Sequence, residues 1–256
     1  MPENDELENK ISTLSEHLAE LRVRLLYSVI AFFVIFSICY YFSQDIYGFL
    51  VEPLAKIYEG EQGRRLIYTG LSEAFMTYVQ VSFYSALFFS FPVFASQIYI
   101  FLAPGLYKKE RKVLLPYLIA TPILFAIGAS VAYYMVFPLA WKFFASFEIT
   151  AGSGAMPIQL EARVSEYLSL VISMIFAFGT AFQLPVILTL LAKVGMITSQ
   201  SLKKKRKYAV VIILIVAAIF TPPDVMSQLA LALPLYLLYE CSIISCKFVE
   251  KGNPNA

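Results

Sequence analysis

The chain has 256 residues, 59% of them hydrophobic and 15% charged, with a mean hydropathy of +0.70. Charged residues make up about a quarter of an ordinary soluble domain, so this composition belongs to a polytopic membrane protein. A net charge of +2 says little by itself, and no nucleic-acid partner is expected. The three cysteines (Cys39, Cys241 and Cys246) lie in apolar segments without a C-x-x-C pair, which argues against a disulfide framework or a thiolate metal site.

The first residues are acidic and polar (Glu3, Asp5, Glu6, Glu8), and residues 1–13 are expected to be loosely ordered. Thr13 followed three residues later by Glu16 fits a capping box, which predicts a helix from about that point. Ile11, Leu14, Leu18, Leu21 and Leu25 recur three and four apart and form one apolar stripe of an amphipathic helix. This helix is expected to lie on the membrane surface or against other helices and to run into the first span. Glu16, His17, Glu20, Arg22 and Arg24 crowd its end, which is more charge than a simple anchor requires. No small-residue cleavage site follows, so a retained helix is expected rather than a signal peptide.

Six spans are predicted. The first four are 25–42; 74–100, interrupted by Pro92; 113–136, with Pro116 and Pro122; and 167–192, containing Gln183 and Pro185. A basic run (Lys203, Lys204, Lys205, Arg206, Lys207) then precedes two shorter spans, 208–220 and 229–246. Crossing a ~30 Å core takes about 20 residues, and the first four spans meet this. The roughly 16 residues between Lys207 and Asp224 reach only about 24 Å, so either the bilayer thins there or charged flanks snorkel. The long segments 43–73 and 138–166 carry apolar and aromatic residues (Tyr47, Phe49, Trp141, Phe144) and are expected to form short interfacial helices over the outer ends. The whole chain, 1–256, reads as a single transmembrane domain.

Orientation follows from the basic residues. An even number of spans puts both termini on one side, with Lys10, Arg22, Arg24, Lys108, Lys109, Arg111, Lys112, Lys193, the 203–207 run, Lys247 and Lys251. The other side keeps Lys56, Arg64, Arg65, Lys142 and Arg163. Positive charge is retained inside, so both termini are expected in the cytoplasm.

Several residues are candidates for function. Glu20 and Arg24 share a helix face, which suits an intrahelical ion pair. Glu110 is an isolated acid among Lys108, Lys109, Arg111 and Lys112, which suits local charge balance. The alternative is that Glu20 and Glu110 converge on a cationic ligand at the cytoplasmic face. Gln183 lies near the middle of its span, where an amide must face protein or a wet cavity: either a helix–helix hydrogen bond or a docking point for a partner helix. Gln97 and Glu240 fit interfacial positions, and Asp224 fits an N-cap for the last span. With His17 as the only histidine and neither H-E-x-x-H nor G-x-S-x-G present, hydrolase chemistry has no support.

These stretches resemble a known family. His17-Leu18-Ala19-Glu20-Leu21-Arg22-Val23-Arg24 is similar to the H-L-x-E-L-R-x-R signature of TatC, the multispanning subunit of the twin-arginine protein translocase. Phe101-Leu102-Ala103-Pro104-Gly105-Leu106-Tyr107-Lys108-Lys109-Glu110-Arg111 looks like that family's first cytoplasmic loop. Phe137-Pro138-Leu139, Ala177-Phe178-Gly179 and Thr221-Pro222-Pro223-Asp224-Val225 look like further motifs, and Pro53 and Pro92 fall where the family has proline. The likeness runs in order from about residue 14 to 248.

The resemblance implies an all-α integral membrane protein of the bacterial cytoplasmic membrane, without enzymatic activity, metal or cofactor. It implies binding of twin-arginine signal peptides and export of folded proteins driven by the proton motive force, within an oligomeric complex with TatA-type and TatB-type single-span subunits. By position, Glu20 and Glu110 match the acids that recognise the arginine pair. Arg22, Arg24, Leu106, Pro53 and Asp224 match positions linked to function or assembly. Thr221 and Gln228 match polar positions near the partner-helix contact, and Gln183 stands where many members carry glutamate. Competing classes are a small-solute transporter, disfavoured by the lack of an internal repeat and of midmembrane charge, and an intramembrane enzyme, disfavoured by the missing motifs.

Overall fold

A single unbroken helix, α1 (Pro2–Tyr41), opens the chain. The computed structural model describes residues 2–59, 65–102, 108–148, 160–220 and 225–251; for 2–17, 102, 108–115, 220, 226, 227 and 251 it describes the backbone alone. Helix α1 begins well before Thr13, so residues 2–13 are helical rather than loosely ordered and the Thr13–Glu16 pair lies inside the helix instead of starting it. Pro2 suits a first helical turn.

Among the described residues nine further helices follow: α2 (Ser43–Ile57), α3 (Glu73–Leu102), α4 (Lys108–Val131), α5 (Phe137–Ala145), α6 (Val164–Ala181), α7 (Leu184–Lys193), α8 (Ser199–Lys204), α9 (Arg206–Phe220) and α10 (Val225–Lys251). A π-helical turn, Ala132–Val136, joins α4 to α5. Among the described residues the only extended pairing is one parallel bridge, Ile67 to Arg163. Among the described residues five segments are long and apolar enough to cross a membrane: Leu18–Tyr41, Glu73–Phe101, Pro116–Ala145, Val164–Lys193 and Gln228–Glu250. They cover the first four expected spans and the sixth. Helix α9, with 15 residues and about 22 Å of rise, falls short of that length. The sixth is not short as expected: α10 has 27 residues, because the helix continues past Cys246 into charged residues that the apolar count leaves out.

Packing divides the chain into two compact units, residues 1–43 with 79–122, and residues 44–78 with 123–256. In the first, Phe32 of α1 meets Phe83 of α3 edge to face at 5.3 Å. In the second, α10 packs along α7, α8 and α9.

The long segments contain α2 and α5; α5 runs on from α4 through the π turn inside the apolar segment Pro116–Ala145, and the attachment of α2 has a definite chemical cause. Pro53 lies inside α2 and has no N–H, so the Phe49 carbonyl four residues earlier loses its helical donor. The Tyr133 hydroxyl, presented by the π turn, donates to that carbonyl at 2.7 Å. Its ring stacks on Phe49 at 4.4 Å. The Tyr167 hydroxyl donates to the neighbouring Leu50 carbonyl at 2.8 Å, and Trp141 of α5 lies against the Tyr167 ring at 5.0 Å. On the exposed side of α2, Lys56 hydrogen-bonds Glu52 at 2.7 Å and holds its carboxyl below the usual carboxylate range.

A second attachment lies at the start of α3. The Glu73 carboxylate accepts from the backbone N–H of Thr69 (2.9 Å) and Gly70 (3.1 Å) and from the Ser165 hydroxyl at the start of α6 (2.7 Å). One side chain thus caps a turn and ties two helix starts together. Farther along, α4 and α6 approach at two glycines. A Cβ on Gly128 would stand 2.6 Å from the Phe178 carbonyl oxygen, and one on Gly179 would stand 2.6 Å from the Phe125 ring.

Two predictions follow from these contacts. Tyr133→Phe leaves the Phe49 carbonyl without its donor and is expected to lower stability by about 1–3 kcal/mol. In Pro53→Ala, which restores the helical N–H, the same change is expected to cost less; a double-mutant cycle on unfolding in mixed micelles measures the coupling. Gly128→Ala pushes a methyl into backbone and is expected to cost about 1–3 kcal/mol. Gly48→Ala, with nothing within 4 Å of the added Cβ, is expected to be neutral or slightly stabilising in the same assay.

Candidate functional site

The charged end of α1 contains the first candidate residues. Glu20 and Arg24 meet across one helical turn, with Arg24 Nη2 donating to Glu20 Oε1 at 3.0 Å. The spacing makes this contact, since residues four apart are neighbours on a helix, and acid before base is the favourable order. Their side chains are 32% and 28% exposed, so the pair is partly shielded yet reachable. Arg24 Nε is buried and has no hydrogen-bond partner among the described residues. Arg22, two positions from each, is exposed and lies off their face. Ser28 donates to the Arg24 carbonyl at 3.0 Å, a back-bond that satisfies its hydroxyl in an apolar stretch.

The backbone of Glu110 belongs to the first turn of α4. Its side chain lies outside the described residues, as do Leu106, Thr221 and Asp224, so the expected convergence of Glu110 with Glu20 and the expected N-cap at Asp224 fall outside them too. Both acids belong to the same compact unit.

The remaining candidates fall at breaks and junctions. Pro53 is buried in α2 and governs the Tyr133 contact described above. Pro92 is exposed inside α3. Gln183 is 7% exposed and occupies the break between α6 and α7, just before Pro185. There the backbone N–H of Gln183 turns to the Thr180 carbonyl at 3.0 Å, which withdraws the helical donor from Gly179. The Gln183 side-chain amide donates to that Gly179 carbonyl at 3.4 Å. The residue is buried, and this bond falls within the helix break. Gln228 of α10 donates to the Leu214 carbonyl of α9 at 3.0 Å and so joins the two helices.

The basic run has a partner that sequence reasoning missed. Arg206 pairs with Glu240 of α10 at 2.7 Å, and Tyr236 donates to the same carboxylate at 3.0 Å. Glu250, near the end of α10, accepts from the Ser199 hydroxyl at the start of α8 at 2.6 Å. Tyr239 donates to the Leu202 carbonyl at 2.8 Å. No sequence signal links partners 34 to 51 residues apart. Lys203, Lys204, Lys205 and Lys207 remain exposed. Among the described residues there is no group of histidine, cysteine and carboxylate side chains that could hold a metal ion.

Comparison with known proteins gives a consistent result. Residues 16–234 match the family model described as Sec-independent protein translocase protein (TatC). The chain is 52% identical over 241 residues to a Sec-independent protein translocase protein TatC of Rickettsia prowazekii, covering 94% of this chain and 95% of that protein. It is 41% identical over 240 residues to the TatC protein of Escherichia coli, covering 93% of this chain and 90% of that one. A crystal structure of the twin-arginine translocase receptor TatC superposes with a TM-score of 0.76 at 35% identity, over 91% of this chain and 99% of the other.

The junction of α9 and α10 yields one prediction. Gln228→Leu removes the side-chain donor to the Leu214 carbonyl and is expected to destabilise the α9–α10 pair by about 1 kcal/mol, read as faster hydrogen exchange in α9 than in α6.

Proposed function

Because the chain belongs to the TatC family of Sec-independent protein translocases, we propose that it is the signal-peptide receptor of its twin-arginine translocase, reading the arginine pair with Glu20 and Glu110. It is a multi-pass membrane protein and a transport protein, not an enzyme. The observation that carries the reading is the Glu20 carboxylate, which already holds a guanidinium at 3.0 Å while remaining about one-third exposed. A carboxylate so placed suits an arginine of a cargo peptide, because charge-assisted and bidentate pairs are the strong ones.

An exposed ion pair contributes only about 0.2–1 kcal/mol, so two carboxylates alone do not select a cargo. Partial desolvation at the membrane face and apolar contact with the peptide's hydrophobic segment supply the remainder. Lys108, Lys109, Arg111 and Lys112 oppose a cationic ligand near Glu110, and Leu106, Arg22 and Arg24 belong to the same proposed site.

The wider assembly belongs to the same proposal. The chain lies in the bacterial inner membrane, with α9 as a short sixth span and both termini cytoplasmic, as the distribution of Lys and Arg supports. TatA-type and TatB-type subunits dock near α9, where Thr221, Asp224 and Gln228 cluster in sequence, within an oligomeric complex that uses the proton motive force. Gln183 serves as a polar contact for a partner helix; as a neutral amide it holds no proton, so proton-linked steps use other groups. Pro53 and Pro92 shape the helices that carry these contacts.

Photo-crosslinking of a twin-arginine peptide tests the receptor assignment. Glu20→Ala and Glu110→Ala are each expected to reduce crosslinking about tenfold, the loss of a partly desolvated charge-assisted bond, with little change for Lys109→Ala. Equal losses in all three would contradict it.

A further inference from the structure

We propose that Arg24 is a resident stand-in for the cargo's arginine: it occupies Glu20 in the free chain, and the cargo guanidinium binds by exchange. The inference deepens the receptor reading above and rests on Glu20 being a carboxylate that the cargo meets.

The geometry identifies the competitor. Arg24 and Arg22 are both near Glu20 in sequence, but only Arg24 shares its helix face and touches it, Nη2 to Oε1 at 3.0 Å. The contact is one nitrogen on one oxygen. A carboxylate accepts a bidentate fork, and an arginine arriving from solvent can supply both of its terminal nitrogens. Arg24 is tethered four residues away on the same helix and leaves its buried Nε without a partner among the described residues. The resident pair is therefore adequate but improvable, which a replaceable partner must be. At 32% and 28% exposure, neither side chain has to leave a sealed core for the exchange.

Exchange has a definite thermodynamic signature. A carboxylate that is free for only part of the time weakens every ligand by the same factor, the fraction of time it is available. Arg24 thus lowers the affinity for Arg-Arg and Lys-Lys peptides alike. It leaves their ratio unchanged and raises the threshold that any peptide must pass. Peptides carrying one suitable charge, or two lysines without the planar fork, fall below half-occupancy at concentrations where an arginine pair does not. Arg24 acts here as a positioning residue: it keeps Glu20 aimed while no cargo is bound.

The test is a fluorescence titration of the full-length chain in lipid nanodiscs. The two peptides carry Arg-Arg or Lys-Lys ahead of the same apolar segment, and the variants are Arg24→Gln, Arg24→Lys and Glu20→Gln. Arg24→Gln is expected to tighten both peptides about two- to fivefold, the occupancy an exposed i,i+4 pair commands, with the ratio between them unchanged. Arg24→Lys, which keeps the charge but loses the fork, is expected to tighten both by less; it carries the test should Arg24→Gln fail to fold by circular dichroism. Unchanged or weaker Arg-Arg binding in these variants, with binding weakened about tenfold or more in Glu20→Gln, would overturn the exchange while leaving the receptor reading intact. Native affinity in Glu20→Gln would overturn that reading, and the exchange with it.

Discussion

In hydrocarbon, a backbone carbonyl without a donor costs several kcal/mol, and this constraint organises the structure. The chain is rich in proline: Pro53, Pro92, Pro116, Pro122 and Pro234 all lie inside helices. Each removes one helical N–H. At Pro53 the resulting vacancy on Phe49 is filled from another element by the Tyr133 hydroxyl. At the break before Pro185, Gln183 fills the vacancy on Gly179 from within. Serine and threonine hydroxyls inside the apolar helices are satisfied in the same way: Ser37, Ser90, Thr121 and Ser130 each donate to the carbonyl four residues earlier. The polar side chains of the spans thus serve the backbone first.

This division separates rigid parts from replaceable ones. The contacts at Tyr133, Tyr167 and Glu73 join distant parts of the chain through buried or multiply bonded groups. The Glu20–Arg24 pair joins only neighbours on one helix, through one bond, at partial exposure. Breaking it exposes no backbone group and unpacks no aromatic cluster. A receptor needs such a contact at its reading site, because a carboxylate locked into a buried network has no valence left for a ligand.

The parts of the fold that follow from local pattern were legible in the sequence. Apolar runs located the first four candidate spans, and four-residue spacing placed Glu20 on Arg24. The errors have physical causes. The Thr13–Glu16 pair resembles a helix start, but good helix formers on its N-terminal side let α1 continue back to Pro2. The apolar count ended the last span at Cys246, whereas a helix is continued by propensity and by anchors such as Glu250 as well as by hydropathy. Arg206–Glu240, Ser199–Glu250 and Tyr133–Phe49 depend on tertiary proximity across 34 to 84 residues, which no periodicity reports. Spacing left Glu20 open, because an ion pair and a receptor carboxylate look the same in sequence; the structure has the ion pair with Arg24.

The most direct test of the receptor account is export of a folded reporter in cells that lack their own copy of this subunit and carry this chain instead. The account predicts that a reporter with an Arg-Arg signal reaches the far side of the membrane while the same reporter with Lys-Lys is retained. Equal export of both, or export that survives replacement of Glu20 and Glu110 together, would contradict it.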